Sequence, residues 1–106
     1  MANPVYRTYT ATGAQTPVAL NYYQTPGNVS VGVWLVNSAT ATFGVEFTLD
    51  DPQSANARWY DDPVLGPTSS ASGVTSYLYP VRAVRLNISA ISGTVEFKVL
   101  QGMPAV

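Results

Sequence analysis

Hydrophobic and polar residues alternate along most of this chain, most cleanly over residues 29 to 36. Val29, Val31, Val33 and Leu35 fall on one side of an extended backbone, and Ser30, Gly32, Trp34 and Val36 on the other. That is the period of two of a half-buried strand. Asn37-Ser38-Ala39-Thr40 reads as a short turn. A second strand follows from Ala41 to Leu49, with Phe43, Val45, Phe47 and Leu49 toward a core and Thr42, Gly44, Glu46 and Thr48 away from it. The two segments predict a hairpin.

The C-terminal region repeats this grammar. Val84, Leu86 and Ile88 alternate with Arg85 and Asn87. The stretch Ser89-Ala90-Ile91-Ser92-Gly93 carries a turn, and Val95, Phe97 and Val99 alternate with Thr94, Glu96 and Lys98. A second hairpin is the expectation, with Gly93 able to take positive φ. Val45-Glu46-Phe47 recurs as Val95-Glu96-Phe97, which reads as two similar hairpins rather than a repeat family. Shorter strands are expected at Val5 to Ala11, Pro17 to Tyr23 and Ser76 to Tyr79, with turns at Thr12-Gly13-Ala14 and Thr25-Pro26-Gly27-Asn28. Eight Gly and eight Pro interrupt every window, and none carries a helical period. The pattern predicts an all-β protein: one β-sandwich domain over residues 1–106, jelly-roll-like, with about six to eight short antiparallel strands. The predicted core is Phe43, Val45, Phe47, Val84, Leu86, Val95, Phe97 and Val99. Residues 50–73 stand apart as a loop too long to be a mere connector, with Ala57-Arg58-Trp59-Tyr60 as a short edge strand or aromatic plug at its middle.

Composition narrows the function. Charged residues are only 10% of the 106, against roughly 25% in an average globular protein. Nine Ser and eleven Thr supply much of the polarity. Such a surface repels neighbours weakly, which suits a subunit packed against other subunits. Five basic residues, spread along a chain of net charge −1, leave no basic stripe, so nucleic acid is not an expected partner. No apolar run approaches the length of a membrane span. Met-Ala-Asn-Pro has neither a basic n-region nor an apolar h-region, so the expectation is synthesis in the cytoplasm without secretion.

The chain contains no Cys and no His. Thiolate nucleophiles, zinc–thiolate sites and the commonest general base are therefore absent. Ser and Thr are plentiful but have no imidazole to form an ordinary triad. The doublets Asp50-Asp51 and Asp61-Asp62 are the sole acidic clusters. Calcium would use such oxygens, but the Asp-x-Asp-x-Asp-Gly spacing is missing, and Asp before Pro is ordinary turn chemistry. The expectation is a non-enzyme with no metal and no cofactor. Trp34, Trp59 and the tyrosines fit either sugar-stacking platforms or subunit contacts, and Trp and Tyr are enriched at interfaces. Trp34 faces away from the main apolar stripe. Arg58, Trp59 and Tyr60 combine the residue types that dominate interface hot spots. Tyr6 and Tyr9 lie on an N-terminal segment suited to adding as an edge strand to a neighbour.

Val81-Arg82-Ala83-Val84-Arg85-Leu86-Asn87-Ile88, followed by Ser92-Gly93-Thr94-Val95-Glu96-Phe97-Lys98-Val99-Leu100-Gln101-Gly102, resembles the closing hairpin of small virion proteins of tailed bacteriophages. The resemblance covers about a fifth of the chain. It implies a capsid decoration or cement protein, a non-enzymatic structural protein located on the virion. Such a protein binds the outer shell as a dimer or trimer, its partners being its own copies and a major capsid protein. The alternative is a carbohydrate- or receptor-binding β-sandwich module, tail-fibre- or adhesin-like.

Overall fold

The structure, a computed structural model, describes residues 5–20, 29–77 and 81–101. The expected turn at 25–28, part of the expected Pro17–Tyr23 strand, and Leu78 and Tyr79 at the end of the Ser76–Tyr79 strand lie outside them. All regular structure in the described residues is strand: β1 (Val5–Tyr9), β2 (Gly13–Ala14), β3 (Val18–Ala19), β4 (Val29–Thr48), β5 (Trp59–Asp61), β6 (Gly73–Tyr77) and β7 (Ala83–Gln101). Every pairing is antiparallel. The all-β expectation holds. The strands form one antiparallel sheet of seven strands.

Neither expected hairpin forms. The two segments of each are halves of a single long strand, and the long strands pair with each other from Val29↔Gln101 to Thr48↔Ala83. The residues read as hairpin turns mark a shared corner. Between Val36↔Thr94 and Thr40↔Ser92, β4 carries three residues where β7 carries one. Asn37 and Ser38 take φ of 49° and 61° there, and Gly93 opposite takes 107°. This is β-bulge geometry, which bends a strand and sharpens its twist. A Cβ on Gly93 would stand 2.7 Å from the Cβ of Ala39, so glycine is required by both its backbone angle and its neighbour.

The corner folds the sheet back on itself. A straight β4 of 20 residues would run about 65 Å, yet the longest dimension of the molecule is 41 Å. Tyr77, paired with Val29 at one end of β4, packs its ring 5.3 Å from that of Phe47, near the other end. The first half-sheet therefore runs β1, the end of β7, the start of β4, then β6. The second runs β2 with β3, the start of β7, the end of β4, then β5. They share one core: Val29, Val31, Val33, Val95, Phe97 and Val99 from the first, and Phe43, Val45, Val84, Leu86 and Ile88 from the second. Seven of the eight expected core residues are fully buried, and Phe47 is half-buried between the rings of Tyr60 and Tyr77. The expected inward Leu49 is instead 53% exposed, while Thr48 is fully buried. The alternation breaks there because Thr48 Oγ1 donates to the Arg58 carbonyl (2.7 Å) and accepts from the Asp50 amide (3.1 Å), which ends the strand.

Candidate functional site

Residues 50–73 are tied down along the β4 edge. The Asp62 amide donates to the Val45 carbonyl, the Val45 amide to the Leu65 carbonyl, and Phe43 and Ser69 exchange both bonds. The acidic doublets do turn work. Asp50 Oδ2 accepts from the Arg58 amide (2.8 Å) and Asp51 Oδ1 from the Gln53 amide (3.0 Å). Asp62, 2% exposed, accepts four bonds: from the Val64 and Leu65 amides, the Thr75 hydroxyl (3.0 Å) and the Tyr77 hydroxyl (2.8 Å). Four donors offset the burial of its charge. Since Thr75 and Tyr77 lie on β6, the carboxylate clasps the two half-sheets together. Sequence reading took Asp62-Pro63 for a turn alone. The signal for its larger role is the alternating pair Thr75 and Tyr77, which places two hydroxyls on the inner face of β6.

The same segment covers the outer face of the second half-sheet. Gly66-Pro67 passes so close over Gly44 that a Cβ there would meet the Pro67 Cα at 2.6 Å. Beside it Glu46 Oε1 accepts from Arg85 Nε (2.7 Å), and the guanidinium sits 4.0 Å from the centre of the Trp59 ring. Trp59 is half-buried by this stacking, whereas Tyr60, next in the strand, lies on the opposite face, where it stacks on Phe47 at 5.5 Å at the core's margin and stays 49% exposed. The Arg58-Trp59-Tyr60 triplet thus splits between two faces. Its exposed apolar surface comes from Tyr60, joined by Leu49 and Val64.

Among the described residues, no segment covers the outer face of the first half-sheet. Register sets two adjacent rows across its four strands. One holds Tyr6, Lys98, Gly32 and Val74, and the next holds Thr8, Glu96 and Trp34, with Ser72 beside Trp34. Tyr6, Trp34, Val74 and Leu100 are each more than half exposed, a concentration of apolar side chains that marks interaction surfaces. A shallow groove runs through Gly32, walled by Val74, Tyr6, Leu100 and the stem of Lys98. Among the described residues its charges are Glu96 and Lys98, 3.6 Å apart. The Tyr6 hydroxyl donates to Glu96 Oε2 at 2.6 Å. That bond raises the Tyr6 pKa above its ordinary value, with desolvation and the charge of Glu96 acting in the same direction.

Tyr6 and Tyr9 therefore part company: Tyr6 belongs to this outer face, whereas Tyr9 points inward with its ring 6.2 Å from that of Phe97. The Tyr9 hydroxyl is buried with no hydrogen-bond partner among the described residues. β1 ends the sheet on its side. Sequence reading placed Trp34 with Gly32 on the side away from the core stripe but missed Val74 and Leu100 beside them, because β6 and β7 become neighbours of β4 only in the folded sheet. No described helix is long and apolar enough to cross a membrane, and no three His, Cys, Asp or Glu side chains among the described residues gather as a metal set would. No family model, no curated protein and no solved structure matches this chain.

Proposed function

We propose that the protein is a non-enzymatic structural component of a virus particle, a decoration protein held on the outer shell by the β5 region. The observation that carries this reading is the exposure of Leu49, Tyr60 and Val64 on a segment fixed by the Asp50 and Asp62 bonds. Exposed apolar side chains on a rigid segment lose little entropy on docking. The low charge and the resemblance of the 81–102 stretch to phage virion proteins support it, although Ala83–Gln101 within it is one bent strand and not a hairpin. The carbohydrate reading draws less support, because the groove beside Trp34 is mostly apolar and gives sugar hydroxyls few partners.

The test is composition. Particles assembled from the encoding genome should contain the protein in many copies, and Tyr60→Ala should deplete it from them while the purified variant keeps most of its thermal stability. Particles that lack the wild-type protein would overturn the reading.

A further inference from the structure

Two glycines of β4 point to the outer face, and they differ in one respect. Gly44 is required, because the protein's own Gly66-Pro67 lies on it. Gly32 is not required by the fold: its φ is not in the left-handed region, and an added Cβ would meet only Val74 Cγ2, at an ordinary 4.0 Å. A glycine in a strand interior weakens the strand and often marks close approach by another molecule. Beside this gap, Trp34 stands 61% exposed.

We propose that the occupant is a second copy of this chain, docked face to face about a two-fold axis, with Trp34 of each copy seated in the Gly32 groove of the other. The two rows of the face carry the argument. An axis in the plane of the interface, crossing β4 at Val33, exchanges the rows. It sets Trp34 on Gly32, Glu96 on Lys98, Tyr6 on Thr8 and Val74 on Ser72. Each strand thus matches a large side chain to a small one or a positive charge to a negative one. That reciprocity is what an isologous interface needs, and a single register satisfies all four strands at once. The apolar patch, ringed by Ser and Thr, also has the character of an interface core with a polar rim. The proposal concerns the isolated protein and does not depend on shell binding.

The experiment is sedimentation of the purified full chain with three variants. Wild type should sediment as a dimer, twice 11.3 kDa, at micromolar concentration. Gly32→Leu fills the groove and should weaken dimerisation by at least about thirtyfold, the size of a hot-spot loss, while melting no lower when measured as a monomer. Glu96→Lys sets like charges against each other and should also give monomer. The double variant Glu96→Lys/Lys98→Glu restores opposite charges across the axis and should recover the dimer. A monomeric wild type would overturn the proposal, as would a dimer indifferent to Gly32→Leu or a folded double variant that stays monomeric. Binding of a soluble oligosaccharide to a monomeric wild type, lost in Trp34→Ala, would overturn it in favour of a sugar platform.

Discussion

The two outer faces of the sheet start from the same residues and end differently. Val45-Glu46-Phe47 and Val95-Glu96-Phe97 occupy matching places, each in the second half of a long strand beside a short one, β5 in one case and β1 in the other. Glu46 takes a guanidinium that stacks on Trp59, and Gly66-Pro67 closes over Gly44 next door. Glu96 takes a phenol and a surface ammonium, and next to it Trp34 and Gly32 lie open. A Glu, a Trp and a glycine on a strand do not themselves make a binding face. What separates the two is the 50–73 segment, which follows β4 and covers one face. No described segment of that length lies beside the other.

The largest test of this comparison uses the phenylalanines. Phe97 is fully buried, so Phe97→Ala should cost about 3–5 kcal/mol. Phe47 is half-buried, held between Tyr60 and Tyr77 at the open margin of the core. Phe47→Ala should therefore cost clearly less. Denaturant unfolding on a Gly32→Leu background keeps self-association from contributing. Equal losses would mean that the two triplets are equivalent inside as well as in sequence.

Much of this architecture was legible from the two-residue period, and the corner was not. Asn37-Ser38 and Gly93 carry the positive φ that a hairpin turn also needs, so local chemistry cannot separate a turn from a bend in a continuous strand. What decides is the pairing partner, and Val29 pairs with Gln101, 72 positions away. Asp62 was hidden for the same reason. An Asp before a Pro looks like a turn starter until Thr75 and Tyr77 are brought to it by the fold. The bare face was half legible: Trp34 on the polar side of its strand was visible in the alternation, and the residues that make it a surface came from β1, β6 and β7.

A smaller effect separates the two ion pairs. The Arg85–Glu46 pair is mostly sequestered, with side chains 22% and 15% exposed, and Arg85 also covers Trp59. Arg85→Ala should cost about 1–2 kcal/mol, combining a lost cation–π contact with a shielded pair. Lys98 is 57% exposed at 3.6 Å from Glu96, and Lys98→Ala should stay within about 0.5 kcal/mol for the monomer. If Lys98→Ala proved the costlier of the two in that background, the picture of a closed face and an open one would fail.

The smallest effect is the titration of Tyr6. The Tyr6 hydroxyl donates its hydrogen bond to Glu96, and a carboxylate acceptor favours the neutral phenol, so the Tyr6 pKa lies above that of an ordinary tyrosine. A group whose folded pKa is raised lends stability that is complete below the unfolded value of about 10 and fades as pH climbs through the folded one. The Tyr6–Glu96 contact should therefore contribute across neutral and mildly alkaline pH and be lost only in strong alkali. Glu96→Gln removes the charge but keeps an acceptor, and should move the Tyr6 titration down toward the ordinary value. Ultraviolet difference titration against Tyr6→Phe isolates this one phenol from the other six tyrosines. A Tyr6 titration unmoved by Glu96→Gln would mean that Glu96 is not its partner in solution. The open face would then lack the bond that fixes Glu96 beside Trp34.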